Sequence, residues 1–139
     1  MHGLLLFAHG ARDPAWARPF EAIASHLRAQ HPHGPVALAF LELMAPRLPE
    51  AVADMVQTGC RRITVVPVFL GSGGHVRRDL PVLLDQLRSE HPGVELVCTA
   101  ALGEVDAIHR ALADAALTLA AASNGTAGDV AGDVAGPAA

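Results

Sequence analysis

At 139 residues, 51% of them apolar, the chain can build one hydrophobic core and is too short for two domains. Ten basic against fourteen acidic side chains leave a formal charge of -4, which argues against nucleic acid as the main partner, so any anionic ligand has to be held locally. Cys60 and Cys98 stand far apart with no CxxC spacing, so neither a disulfide framework nor a zinc ribbon is suggested and a reduced, cytoplasmic setting fits best.

No secretory pattern is expected at the start, because Leu4 to Ala8 is too short for an h-region and lacks a basic flank. The Ala-rich run from Ala111 to Ala122 carries Asp114 and falls short of a membrane span of about 20 residues.

In chain order, Gly3 to Ala8 reads as the first strand and His9-Gly10-Ala11-Arg12-Asp13-Pro14 as the turn after it, with Asp13 as N-cap. From Ala15 to Gln30, Trp16, Phe20, Ile23, Ala24 and Leu27 recur at helical spacing and predict one buried face. Val36 to Leu41 is the second strand, followed by Glu42, and Pro46 to Thr58 the second helix, closed by Gly59. Ile63 to Leu70 is β-branched and apolar on both faces, as a central parallel strand is when helices cover it from both sides. Gly71-Ser72-Gly73-Gly74 then frees the backbone to turn and to approach a ligand, and His75 stands at the mouth of that loop. Asp79 and Pro81 have first-turn character, placing the third helix at Leu80 to Glu90. Val94 to Thr99 is the fourth strand and Glu104 to Ala121 the fourth helix.

Strict alternation of strand and helix predicts a single flavodoxin-like α/β domain over residues 1 to 122, a four-stranded parallel sheet with helices on both faces. Residues 123 to 139, with the repeat Gly-Asp-Val-Ala, read as a low-complexity, disordered tail. An internal echo accompanies the alternation. Leu27-Arg28-Ala29-Gln30-His31-Pro32 and Leu87-Arg88-Ser89-Glu90-His91-Pro92 both end a helix and lead into a strand.

Doubly wound sheets bind ligands beyond the carboxyl ends of their strands, where strand order reverses. With the order 2-1-3-4 that point falls between the first and third strands, so His9 and His75 would face one crevice, rimmed by Gly10, Gly73 and Gly74, with Glu42 arriving from the second strand. Imidazole suits cobalt, nickel, iron or zinc and also takes up protons near neutrality, and two histidines with one carboxylate make an open site. Arg12, Arg77 and Arg78 could pair with ligand carboxylates. The plainer reading has His9 capping a turn and His75 beginning a helix, with the arginines as solvated charges. Phosphoryl transfer through His9 fits poorly, since Ala8 precedes the histidine where arginine is wanted and the glycine loop lacks the Lys-Ser/Thr of a P-loop.

The blocks His9-Gly10-Ala11-Arg12-Asp13-Pro14, Phe40-Leu41-Glu42, Val66-Pro67-Val68-Phe69-Leu70, Gly73-Gly74-His75-Val76 and Asp79-Leu80-Pro81 together resemble the small CbiX-type sirohydrochlorin chelatases. The resemblance spans residues 3 to 115. It implies a class II chelatase that inserts a divalent metal, cobalt in preference to iron or nickel, into a tetrapyrrole for cobalamin or sirohaem, with no ATP, accessory subunit or organic cofactor. It also implies a homodimer whose two sheets flank one cleft and metal-site histidines at His9 and His75; Glu42, from its place at the end of the second strand, is the expected catalytic carboxylate, and no membrane partner is expected. The substrate-binding set would be Gly10, Arg12, Ser72, Gly73, Gly74, Arg77 and Arg78. Ala11 departs from the family, which more often has serine there. A non-catalytic metal or tetrapyrrole carrier would use the same ligands.

Overall fold

A computed structural model describes residues 1–71 and 73–124, and of His75 the backbone alone. Four parallel strands form one sheet: β1 (His2–Ala8), β2 (Val36–Phe40), β3 (Arg62–Pro67) and β4 (Glu95–Cys98), in the order β2-β1-β3-β4. The connections are α1 (Arg18–Gln30), α2 (Leu48–Gln57) and α3 (Gly74–Glu90), and α4 (Asp106–Ser123) follows the last strand. Register is continuous across the two central strands, with Leu4 beside Thr64 and Leu6 beside Val66, so the carboxyl ends of β1 and β3 emerge together.

Alternation along the strands sorts side chains to two faces. One face is the main core: Leu5, Phe7, Ala39, Ile63, Val65 and Leu96 pack against Leu48, Val52 and Met55 of α2 and Leu84 and Leu87 of α3. The opposite face is thinner, with Ala8 and Phe40 under Ala17, Trp16 and Phe20. Trp16 and Phe20 stack with ring centroids 4.5 Å apart, a contact made by the short 3₁₀ turn Pro14–Ala17 that precedes α1. Asp13 caps that turn as expected, its carboxylate accepting from the Ala15 amide at 2.9 Å. Ile23, expected on the buried face, is instead 38% exposed.

Two further differences concern helices. The third helix begins at Gly74, not Leu80, so Pro81 lies in its interior. Proline there brings no amide to the carbonyl one turn back, a loss that tertiary packing by Val76, Leu84 and Leu87 offsets. The fourth helix forms where expected, yet no residue of it is buried. It runs one residue into the segment expected as tail, and residues 125–139 lie outside the described residues. None of the described helices is long and apolar enough to cross a membrane.

The internal echo is structural. His31 and His91 end α1 and α3 with nearly the same backbone angles, φ -128 and ψ 70 against φ -127 and ψ 65. In each unit the arginine three residues earlier donates to the next strand: Arg28 to the Val36 carbonyl at 3.3 Å, Arg88 to the Leu96 carbonyl at 3.0 Å. The same side chain thus ties helix to strand in both halves.

Candidate functional site

Beyond Ala8, which is fully buried, the parallel pairing of β1 with β2 runs on for two residues. The Leu41 amide donates to the Ala8 carbonyl at 2.9 Å and the Glu42 amide to the His9 carbonyl at 3.1 Å. This brings the two side chains together, His9 Nε2 standing 3.3 Å from Glu42 Oε1. A carboxylate only accepts, so Nε2–H donates and Nδ1 keeps the lone pair, available to a metal or a proton. The His9 side chain is 32% exposed and that of Glu42 53% exposed, so the pair opens to solvent. Phe69 meets the imidazole edge-on at 6.5 Å and walls it from below.

Gly10 makes the close approach possible. Its φ is +97, and a Cβ at that position would stand 1.9 Å from the Glu42 carbonyl oxygen. The sequence points to glycine freedom in the loop 71–74, but the left-handed glycines among the described residues are Gly10 and Gly59. Around Gly71, Gly73 and Gly74 a Cβ would meet nothing within 4 Å.

The β3 side of the site is held differently. The Gly103 amide donates to the Phe69 carbonyl at 2.8 Å, and a Cβ on Gly103 would come within 2.0 Å of the Leu70 carbonyl oxygen, so the loop after β4 grips the end of β3. The chain then passes Gly71 and Gly73 into α3, with Gly73 at the N-cap and no side chain capping it. His75 is the second residue of that helix, and its side chain and Ser72 lie outside the described residues. Arg77 and Arg78 are exposed at the start of α3, whose first turn holds no acidic residue and whose second holds Asp79, so the amide end of the helix lies at this edge. Arg12 is exposed beyond β1. The residues expected from the sequence therefore fall on two sides of one sheet edge, with His9, Gly10, Arg12 and Glu42 at the ends of β1 and β2, and Gly73, Gly74, Arg77, Arg78 and the His75 backbone after β3.

Among the described residues no three His, Cys, Asp or Glu side chains come together to hold a metal, and His75 does not enter that count.

Two leucines at this edge were not foreseen. Leu43 follows Glu42 with φ +67 and is 57% exposed, and Leu70 after β3 is also 57% exposed. A branched residue in the left-handed region is strained. Each stands three residues past the end of its strand, and the sequence pattern places Leu70 inside the third strand.

A cleft of about 590 Å³ opens nearby between α3 and the ends of β3 and β4, lined by Pro67, Phe69, Arg77, Leu84, Cys98 and Glu104. Neither His9 nor Glu42 lines it. Burial pushes the Cys98 thiol up from the ordinary range, against the opposing pull of the Arg88 guanidinium.

Comparison with known proteins places this geometry. Residues 3–118 match the family model described as CbiX. The chain is 38% identical over 82 residues to the sirohydrochlorin cobaltochelatase of Methanothermobacter thermautotrophicus, covering 59% of this chain and 57% of that one. With the sirohydrochlorin cobaltochelatase of Saccharolobus solfataricus it shares 34% identity over 105 residues, covering 73% and 80%. The chain spans 57%, 64% and 63% of the length of three methanogen relatives it matches. Among solved structures, a cobalamin (vitamin B12) biosynthesis CbiX protein from Marinobacter aquaeolei VT8 superposes with a TM-score of 0.79 at 31% identity, over 88% of this chain and all of that one. The sirohydrochlorin chelatase SirB from Bacillus subtilis subspecies spizizenii, solved in complex with cobalt, superposes with a TM-score of 0.60 at 26% identity, over 72% of this chain and 43% of the other. With the model match running through every strand and most of α4, the chain belongs to the CbiX family.

Proposed function

We propose that the protein is an ATP-independent class II chelatase that inserts a divalent metal, with cobalt favoured and iron or nickel accepted, into sirohydrochlorin. The observation that carries this reading is the His9–Glu42 pair at the open carboxyl edge of the sheet, with Nδ1 left as a free lone pair. The relatives that bear the name sirohydrochlorin cobaltochelatase support the substrate, and the cobalt complex of SirB supports the metal. Free thiols at Cys60 and Cys98 agree with a reducing, cytoplasmic setting.

In this reading His9 and His75 hold the incoming metal as substrate. The macrocycle settles over Leu43 and Leu70, its peripheral carboxylates meeting Arg12, Arg77, Arg78 and the amides around Gly10, Ser72, Gly73 and Gly74. Pyrrole nitrogens then replace water and imidazole on the metal. Two N–H protons leave, and Glu42 or the released imidazole accepts them. A second copy supplies the other wall of the cleft, since one small sheet offers a single wall.

Absorbance of sirohydrochlorin with each metal in turn, with spontaneous insertion subtracted, tests the reading. Product in many-fold excess over protein sites is expected. Product limited to one equivalent per site would make the protein a metal or tetrapyrrole carrier.

A further inference from the structure

Leu43 is strained for no reason that the fold supplies. Its φ of +67 lies in the left-handed region, and among the described residues no other residue except glycine has a positive φ. A side chain there crowds the backbone, and glycine or asparagine would hold the same turn with less strain. The turn itself is required. The Glu42 amide is drawn onto the His9 carbonyl at 3.1 Å, and the chain then returns at once, the Pro46 carbonyl accepting from the Phe40 amide at 2.9 Å. Nothing in that path calls for leucine.

Nor does the core call for it. Leu43 is exposed and belongs to neither buried cluster, whereas Met44 beside it packs against the cluster of Ala8, Ala17 and Phe40. Strain that packing within the chain does not offset points to a contact made with something else.

A counterpart stands across the edge. Leu70 is exposed to the same extent, three residues past the end of β3 as Leu43 is past the end of β2. Between those strands runs β1, whose end carries His9. The strand order thus sets an exposed leucine on each flank of the imidazole, across two strand spacings, about 10 Å. Leu70 is fixed by a different device, since the Gly103 amide binds the Phe69 carbonyl just before it at 2.8 Å. Two fixed apolar residues at that separation fit the face of a broad flat ring. A small polar ligand would leave both in water.

We infer that Leu43 is a ligand-positioning residue: held out by its strained turn, it is one of two apolar rests, with Leu70 the other, on which the face of the macrocycle lies so that the ring centre comes over His9. The inference rests on the tetrapyrrole reading and adds to it the residue that sets where the ring stops. The free protein bears the strain, and the bound ring offsets it by covering the leucine. Stability and binding should therefore respond to substitution in opposite directions.

Metal-free sirohydrochlorin, titrated with a chelator present and followed by its own fluorescence, reads ring binding without insertion. Leu43→Gly should raise the melting temperature by a few degrees and weaken ring binding roughly tenfold. Leu43→Ala keeps the left-handed strain and loses the contact, so it should weaken binding as much with a melting temperature within about two degrees of the parent. Leu43→Met, similar in volume, should bind within about twofold of the parent. A side chain that served only the fold would move stability and affinity together. A lower melting temperature in Leu43→Gly, or ring affinity unchanged in both Leu43→Gly and Leu43→Ala, would overturn the inference. So would light scattering in which either variant loses an association that the parent has, since a second copy would then be what covers the leucine. A parent protein that takes up no ring sinks the tetrapyrrole reading with it, whereas the expected binding pattern without metal insertion sinks the chelatase reading alone.

Discussion

The two sides of the sheet edge are built on opposite plans. At the ends of β1 and β2 the backbone is locked, with successive amides from Leu41 and Glu42 on the Ala8 and His9 carbonyls and a glycine at Gly10 that no other residue can replace without a clash. Beyond Leu70 the reverse holds, since Gly71, Gly73 and Gly74 stand in open space and none has a positive φ. Glycine therefore does two different jobs here. At Gly10 it lets two strands close on each other beside the imidazole, whereas Gly71, Gly73 and Gly74 leave open space, which the proposed function gives to the incoming ligand. Preorganisation on one side and access on the other agree with the proposed function, which asks one site to grip a small ion and admit a large flat ring.

The largest expected effect is on chemistry. His9→Ala and His75→Ala should each lower metal insertion by about 10²-fold or more with the fold intact, and the double variant should be little worse than either, because groups acting as a unit are not additive. Rates run beside circular dichroism check this, and a folded His75→Ala protein with near-normal insertion would show that the β3 side contributes no ligand.

Gly10→Ala comes next, and it should act on stability. The left-handed backbone alone costs roughly 1–3 kcal/mol, and the contact with the Glu42 carbonyl adds to it, so thermal melting should drop by many degrees. Gly71→Ala and Gly73→Ala should stay within about 0.5 kcal/mol of the parent in the same melts, while slowing insertion if that loop is an entrance. Equal destabilisation at positions 10 and 73 would erase the contrast between the two sides.

Glu42→Gln is the finest probe. The pair is half exposed and should contribute no more than about 1 kcal/mol to stability, but an amide in place of the carboxylate no longer fixes which imidazole nitrogen carries the proton. A fall in metal affinity of roughly 10- to 100-fold with an unchanged melting temperature is expected from calorimetric titration.

Much of this was legible in the residues. Strand and helix alternation, and His9 and Glu42 at strand ends, follow from the hydrophobic patterning, and adjacency of β1 and β3 from the flavodoxin-like strand order expected of such a chain. The start of α3 was not legible, because Asp79 and Pro81 carry the local signature of a first turn while the helix is extended backwards to Gly74 by the burial of Val76. The φ of Leu43 was invisible for a related reason, as the pairing of Glu42 with His9 dictates it from another part of the chain. The place of α4 was readable from the alternation of strand and helix, but that none of its residues is buried is a property of the folded chain.

Cys98 carries a consequence of another kind. Thiolate sulfur binds cobalt, nickel and iron more tenaciously than imidazole does, and a thiolate beside a delivery site would act as a sink for the ion in transit. Burial raises the Cys98 thiol above its ordinary range against the pull of the Arg88 guanidinium, so in the proposed function the sulfur lining the neighbouring cleft is a weaker competitor for the metal. Alkylation of Cys98 slower than that of the same cysteine in the unfolded chain at equal pH would register this protection, and equal rates would contradict it. In that reading, desolvation disfavours a ligand near the cleft that would hold the ion too tightly.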